Sequence, residues 1–314
     1  MKVVITGGAG FIGANLGRAL LSRPEVDEVV ALDNLATGFR SNLDGTDIRL
    51  VEGTILDPDT LDATFAGASA VIHLAARPSV PRSVKDPIAT HHSNATGTLE
   101  VLQAARRAGN VHTIVASSSS VYGANRELPK REAMRTAPIS PYAVSKQATE
   151  AYTLAFGHTY DLPVLAFRFF NVYGPLQAAG HAYAAVIPAF VDAAVRGVPL
   201  PVHGDGEQTR DFTYVGTVTQ VIADAVVRRV SDLTAVNLAF GSRTSLNKLI
   251  EIIGAELGTT LAVDHQPPRT GDVRDSQADN SRLREHFPEV EAVSLEQGVA
   301  ETVAWFRTLP DYPA

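Results

Sequence analysis

The 314-residue chain contains no cysteine. Disulfides, thiolate metal sites and thiol catalysis are therefore excluded, and a reducing compartment fits. Long apolar runs are also missing, since no stretch approaches the ~18 residues that a membrane span needs. Met1 to Thr6 is too short an apolar segment for a signal peptide and has no cleavage site after it, so a cytoplasmic location is expected. Charge of one sign is not concentrated anywhere: the net charge is -7, with acids and bases interspersed, which leaves no footprint for nucleic acid or an anionic membrane. An anionic ligand must then be held by individual arginines. The nine histidines show no metal spacing, and the adjacent His91 and His92 point apart on a helix, so no metal is expected. What remains is ordinary globular composition, 45% hydrophobic and 19% charged, with length enough for two core-forming units.

Short β-branched runs alternate with helical patterns through the first half. Val3–Thr6, Val29–Asp33, Ile48–Glu52, Ala70–Leu74, His112–Ser117 and Val164–Phe169 read as buried strands. Segments starting near Phe11, Pro58, Asn94 and Pro141 read as helices. This βαβ alternation implies an α/β fold, a doubly wound parallel Rossmann sheet covered on both faces. Beyond Gly174 the pattern becomes mixed, with helices over 184–196, 217–229, 246–257 and 295–307 among short strands and Pro/Gly-rich loops. The expected division is a Rossmann domain over 1–173 and a smaller α+β substrate-binding lobe over 174–314, with Phe212–Val215 and Val236–Ala239 able to return to the main sheet.

Thr6-Gly7-Gly8-Ala9-Gly10-Phe11-Ile12-Gly13 follows the first strand and opens the first helix. Its glycines fit G-x-G-x-x-G as Gly8, Gly10 and Gly13, and G-x-x-G-x-x-G as Gly7, Gly10 and Gly13. Either spacing lets backbone approach a pyrophosphate at a helix N-terminus. Asp33 closes the second strand 33 − 13 = 20 residues later. A carboxylate there accepts hydrogen bonds from a ribose 2′-OH and repels a 2′-phosphate, so NAD is expected rather than NADP. Arg40 lies nearby, but Asn34 is not basic.

Of eight tyrosines only Tyr142 has a lysine four residues on, Lys146, and a serine run, Ser117 to Ser120, lies upstream. Positions i and i+4 share a helix face, so the ammonium can sit beside the phenol and favour its ionised form. A free phenol, with a pKa of about 10, is a poor base at neutral pH. A lysine together with the positive ring of an oxidised nicotinamide would bring it toward the working range.

In these motifs the chain resembles the extended short-chain dehydrogenase/reductase family, and within it the nucleotide-sugar epimerases of the UDP-glucose 4-epimerase type. The resemblance rests on TGGAGFIG at the N-terminus, LDN at 32–34, HLAA at 73–76, SSSSVYG at 117–123, SPYAVSK at 140–146, RFFNVYGP at 168–175, GDGEQTRDFTYV at 204–215 and PPRTGDVRDSQAD at 267–279. It implies Tyr142 as base, Lys146 as the residue that lowers its pKa and holds the nicotinamide ribose, and Ser118 as hydrogen-bond partner of the reacting hydroxyl. A hydroxyl both donates and accepts, which suits that bridging position. By the same resemblance Gly7, Gly10, Phe11, Ile12, Gly13, Asp33, Asn34, Ile55, Ala75 and Asn94 line the cofactor. Ser119, Ser120, Asn171, Val186, Arg210, Arg269, Asp272 and Ser276 line the substrate, the two arginines gripping its diphosphate.

Relatives that dehydrate or decarboxylate carry acids just after the Ser/Thr, where this chain has only Ser119 and Ser120, so simple epimerisation is expected. The expected function is NAD-dependent C4 epimerisation of a UDP-hexose through a transient 4-keto sugar. The alternatives are a UDP-glucuronate or UDP-N-acetylhexosamine 4-epimerase, or an NAD-binding regulator without catalysis. The small Ser276 implies room for an N-acetyl group. Two departures stand out. Thr54 replaces an aspartate that faces the adenine, shifting that contact to the Ile55 backbone or Asp57. Gly216-Thr217 replaces an acidic pair, leaving Thr217 to cap the following helix. The resemblance also implies a homodimer formed by the helices near 94–108 and 142–158. Ala104, Ala105, Ala108 and Ala148, Ala151, Ala155 would permit close approach there, or could pack on the protein's own sheet.

Overall fold

Alternation of small β-branched strands with amphipathic helices gives the architecture its layers. A computed structural model describes residues 1–179, 185–267 and 274–310. The first half runs β1 (Lys2–Thr6), α1 (Phe11–Leu21), β2 (Glu28–Asp33), β3 (Arg49–Glu52), α2 (Pro58–Phe65), β4 (Ala70–His73), α3 (Val80–Lys85), α4 (Pro87–His91), α5 (Gly97–Arg107), β5 (His112–Ser118), α6 (Pro141–Tyr160) and β6 (Val164–Phe169). The second half runs β7 (Asn171–Tyr173), α7 (Val186–Val195), β8 (Leu200–His203), β9 (Thr209–Arg210), β10 (Phe212–Tyr214), α8 (Val215–Arg228), β11 (Val236–Leu238), β12 (Thr244–Ser245), α9 (Leu246–Leu257), β13 (Val263–Gln266), α10 (Ser281–His286) and α11 (Leu295–Arg307).

Seven strands form one parallel sheet in the order β11-β6-β5-β4-β1-β2-β3. Successive side chains of a strand point to opposite faces, so each strand feeds two cores. Val3, Ile5, Val29 and Ala31 pack with α1 and α8, whereas Val4, Val30 and Leu32 pack with α2, α5 and α6. Strand order reverses between β1 and β4, and a crevice at the carboxyl ends of such strands is where open α/β sheets hold ligands.

A second core gathers Tyr173, Phe190, Val191, Phe212, Tyr214, Leu249, Ile253, Val303 and Phe306 from β7, α7, β10, α9 and α11. Of the two segments expected to be able to rejoin the main sheet, Val236–Leu238 does, beside β6. Phe212–Tyr214 instead pairs with β7 in a sheet of two strands, because Phe212 and Tyr214 are buried in the second core. Helices α8 and α10 pack on the main-sheet core through Val218, Ile222, Leu283 and Phe287. The start of α8 also differs from expectation: no side chain caps it, and the Thr217 hydroxyl accepts the Val293 N–H at 3.1 Å instead.

Candidate active site

Beyond β1 the chain turns through Gly7, whose φ of +72° is left-handed. A Cβ at Gly7 would lie 2.7 Å from the Ala75 nitrogen, and one at Gly13 would lie 2.3 Å from the Gly7 oxygen. Only glycine permits the loop to close down over β4 and the first turn of α1 together. The helix begins at Phe11 with no side-chain cap and no acid in its first turn, so its N-terminal N–H groups face the crevice without a competing anion. Asp33, at the end of β2, is buried and folds back: its carboxylate accepts the Ala9 N–H at 3.0 Å and the Leu35 N–H at 2.8 Å. The exposed Asn34 accepts the Ala36 N–H at 3.1 Å in a tight turn.

Ile55 is buried against Gly97, where an added Cβ would come within 2.5 Å of its Cδ1. Asp57 caps α2 by accepting the Asp59 N–H at 3.2 Å, so its carboxylate is already engaged. The Thr54 hydroxyl accepts the Leu56 N–H at 3.2 Å. Asn94 does not begin a plain helix. It sits in a π-helical turn over His92–Thr96, between α4 and α5. There its amide accepts the Arg77 N–H at 2.7 Å and donates to the Ser145 hydroxyl at 2.9 Å, fixing α6 from behind.

Helix α6 is capped by Ser140, which accepts the Ala143 N–H at 3.1 Å, with Pro141 in the first turn. That start places Tyr142 at the carboxyl end of β5. Ser118, the last residue of β5, accepts the Ser120 N–H at 3.1 Å and lies near enough to the Tyr142 phenol to draw its pKa down. Lys146 is buried and donates to the Ala116 carbonyl at 2.8 Å, which pins α6 to β5. Burial brings Lys146 down to about 8. Burial also pushes the Tyr142 phenol up, and the Ser118 hydroxyl pulls against it. The lowering expected from Lys146 is thus not part of the phenol's present surroundings, because the ammonium is anchored on a carbonyl.

On the substrate side, Ser119 and Ser120 open a 3₁₀ turn over Ser119–Tyr122, and the Ser120 hydroxyl is buried without a protein partner. Asn171 opens β7 and donates its side-chain amide to the Asp211 carbonyl at 3.2 Å rather than to its own loop. Val186 is the half-buried first residue of α7. Arg210, in β9, donates to the Thr209 and Arg274 carbonyls at 2.9 and 3.0 Å. Ser276 is held alongside, its N–H donating to the Thr209 carbonyl at 3.1 Å. Arg269 and Asp272 lie outside the described residues.

With this geometry in view, residues 3–239 match the model of the NAD dependent epimerase/dehydratase family. The chain belongs to that family. A UDP-glucose 4-epimerase of Mycolicibacterium smegmatis is 37% identical over 318 residues, covering 98% of this chain and 99% of the relative. A probable UDP-glucuronate 4-epimerase of Rhizobium meliloti is 30% identical over 336 residues, covering 98% and 97%. Among solved structures, the UDP-N-acetylglucosamine 4-epimerase from Methanobrevibacter ruminantium M1, in complex with UDP-N-acetylmuramic acid, aligns with a TM-score of 0.92 at 35% identity, over 98% of each chain.

Membership of the NAD-dependent epimerase/dehydratase family brings a cofactor that the loop geometry fits. Its glycine cradle would be filled by any Cβ, and the uncapped α1 suits a pyrophosphate. Arg40, the basic residue nearest Asp33 in sequence, is paired with Glu52 at 2.7 Å, leaving the ribose end acidic as NAD requires. Among the described residues no cluster of His, Cys, Asp or Glu could hold a metal, and no helix is long and apolar enough to cross a membrane.

Sequence reading of this family member missed the support beneath the candidate catalytic residues. Glu150 forms a two-pronged ion pair with Arg168, at 2.9 Å to Nε and 2.6 Å to Nη2, and accepts the Ser117 hydroxyl at 2.7 Å. Arg168 continues to the Tyr122 hydroxyl at 2.9 Å, and Tyr122 to Asn237 at 2.7 Å. Cross-strand register puts Ser117, Arg168 and Asn237 in one row of the sheet. A signal existed: Tyr142, Lys146 and Glu150 are spaced i, i+4, i+8 on one helix face.

Proposed function

We propose that the protein interconverts a UDP-hexose and its C4 epimer by NAD-dependent oxidation and reduction at C4, passing through a 4-keto sugar. The observation that carries this reading is the convergence of Ser118, at the end of β5, and Tyr142, in the first turn of α6, at the carboxyl edge of the sheet, with Lys146 one helical turn away and only hydroxyls at 119 and 120. When bound, NAD supplies the two-electron acceptor and donor at the sugar carbon, and its positive ring adds to the field that favours the phenolate. Tyr142 takes the O4 proton as C4 becomes a carbonyl, with Ser118 bridging the phenol and the sugar oxygen. Lys146 holds its charge close to the phenol's helix turn and presents its remaining N–H groups to the nicotinamide ribose. Arg210 and Asn171 keep the diphosphate in place while the hexose turns over. Tyr142 then returns the proton to O4, and nothing is consumed.

Neutral side chains at 119 and 120 support epimerisation over elimination, which needs an acid/base pair there. The buried, partnerless Ser120 hydroxyl has hydrogen-bonding capacity to spare for the C6 substituent. A carboxylate would take that bond more strongly than an alcohol, which favours UDP-glucuronate as second reading. Incubation of dialysed protein, with no NAD added, with UDP-glucose, UDP-galactose, UDP-glucuronate and the N-acetyl analogues decides between them. A C4 epimer of at least one is expected, and absence of any sinks the reading.

A homodimer through α6 belongs to the same proposal. Ala104 and Ala105 are buried in the protein's own core, whereas Ala151 and Ala155 are exposed and continue a stripe with Val144 and Tyr152, which are 51% and 41% exposed. The stripe sits beside Ile88 and Ile139, 70% and 56% exposed, and so presents an apolar face suited to a second copy.

A further inference from the structure

Asp211 follows Arg210 but turns away from solvent, with 0% of its surface exposed. Its Oδ2 accepts the N–H groups of Gly241 at 3.1 Å and Ala278 at 3.0 Å, and its Oδ1 accepts the Ser242 hydroxyl at 3.0 Å. Its main-chain carbonyl accepts both the N–H and the side-chain amide of Asn171, at 3.3 and 3.2 Å. One residue therefore ties together β7, the β9–β10 step, the turn after β11 and the segment that ends at Ala278.

Those segments bear Arg210, Asn171 and Ser276. Short contacts already align two of them: Thr209 donates its hydroxyl to Asp275 at 2.6 Å, and Arg210 donates to the Arg274 carbonyl at 3.0 Å. Neither contact reaches the turn at Gly241 and Ser242. The Gln277 side chain links its segment to that turn by donating to the Gly241 carbonyl at 3.0 Å, and the Asp211 carboxylate bonds the turn and the Ala278 N–H together to the start of β10.

We propose that Asp211 is a positioning residue for the nucleotide-diphosphate half of the substrate, its ionised carboxylate fastening the segments of Arg210 and Ser276 to the turn after β11 while its main-chain carbonyl holds Asn171. This rests on the UDP-sugar reading above. A carboxylate with all-acceptor oxygens satisfies the surrounding donors, whereas the protonated acid places a donor among donors. Protonation thus loosens the junction and weakens substrate binding.

Burial pushes Asp211 up to about 6 against the pull of its own hydrogen bonds, which places that change near neutrality. The other charged groups on the surrounding segments are Arg210, Arg243, Arg274, Asp275 and Asp279. Asp275 is held below the usual carboxylate range by Thr209 and Arg243, and Asp279 by Ser281, so both stay ionised where Asp211 titrates. Tyr173 and Tyr214, on β7 and β10, are pushed up by burial and stay neutral.

The test is calorimetric titration of UDP-glucose into the NAD-loaded protein from pH 8 to pH 5. This ligand has no phosphate proton titrating in that range, unlike a phosphate monoester with its second pKa of about 6. For the natural chain Kd is expected to rise about tenfold over the interval, following the loss of one ionised group. Asp211→Asn is expected to bind about tenfold more weakly at pH 8 with a flat pH profile, and to lose kcat/KM through KM. A flat profile for the natural chain, or an unshifted Asp211→Asn affinity at pH 8, overturns the inference while leaving epimerisation intact. No binding at any pH overturns the UDP-sugar reading and this inference with it. The natural chain's profile answers the question even if Asp211→Asn does not fold.

Discussion

In the proposed epimerase, the catalytic half and the half that grips the substrate are held by different means. Ser118, Tyr142 and Lys146 stand on a strand and a twenty-residue helix, joined by the Lys146–Ala116 bond and backed by the buried Glu150–Arg168 pair. Arg210, Asn171 and Ser276 stand on two- and three-residue strands and a connecting segment, drawn together around one buried residue, Asp211, through its carboxylate and its main-chain carbonyl. Chemistry at C4 needs groups fixed to fractions of an ångström, and regular elements with a packed underside provide that. Binding of related sugars asks only that a diphosphate stay clamped while the hexose turns, so short segments around a single hub suffice.

The comparison breaks first at Tyr142. Replacement by phenylalanine is expected to lower kcat about 10³-fold or more, with NAD retention and UDP-sugar affinity within about threefold. An equal loss in binding would mean that the two halves are not separable. Ser118→Ala comes next, at about 10²-fold in kcat. Because the Ser118 hydroxyl opposes the rise that burial imposes on the phenol, its removal raises the phenol further. Activity depends on the ionised phenol and falls as pH falls through its apparent pKa. The acid limb of the kcat profile should therefore move to higher pH in Ser118→Ala.

The support beneath the catalytic residues sharpens the contrast in stability. Glu150→Gln leaves Arg168 buried without its counter-charge and should cost about 3–5 kcal/mol in denaturant unfolding. Replacing both, as Glu150→Gln with Arg168→Met, should recover much of that loss. At the cofactor, Asp33→Asn removes an ionised acceptor and should weaken NAD by about 1.5–3 kcal/mol, read by fluorescence titration with the cofactor. Its effect on UDP-sugar affinity in NAD-saturated protein should be the smallest of all.

How much of this was legible follows the same divide. Strands β1, β2, β4, β5 and β6 announce themselves because a strand buried on both faces must be apolar throughout, and the glycine loop because Gly7 and Gly13 leave no room for a Cβ. Strand β3, read as buried, is an edge strand with none of its four residues buried, and the short α3 and α4 were not foreseen. Tyr142 and Lys146 were visible as an i, i+4 pair. Less could be seen in the second half, where strands of two or three residues carry no period. Phe212–Tyr214 could be read toward either sheet, and only the burial of its two rings in the second core decides. Asp211 gave no signal, since an aspartate in a Gly-rich loop is ordinarily a solvated turn residue. Only the fold shows that four segments converge on it. The Lys146 ammonium was placed beside the phenol by helix geometry alone, which could not foresee the Ala116 carbonyl that accepts its hydrogen bond.

Epimerisation by internal redox at C4, unlike inversion by proton exchange at that carbon, requires that the hydrogen on C4 leave and return without meeting solvent. UDP-glucose carrying deuterium at C4, incubated with the protein in ordinary water, should give UDP-galactose with the deuterium still at C4. Washout of that deuterium into solvent, or a 4-keto-6-deoxy sugar in place of the epimer, would contradict the reading.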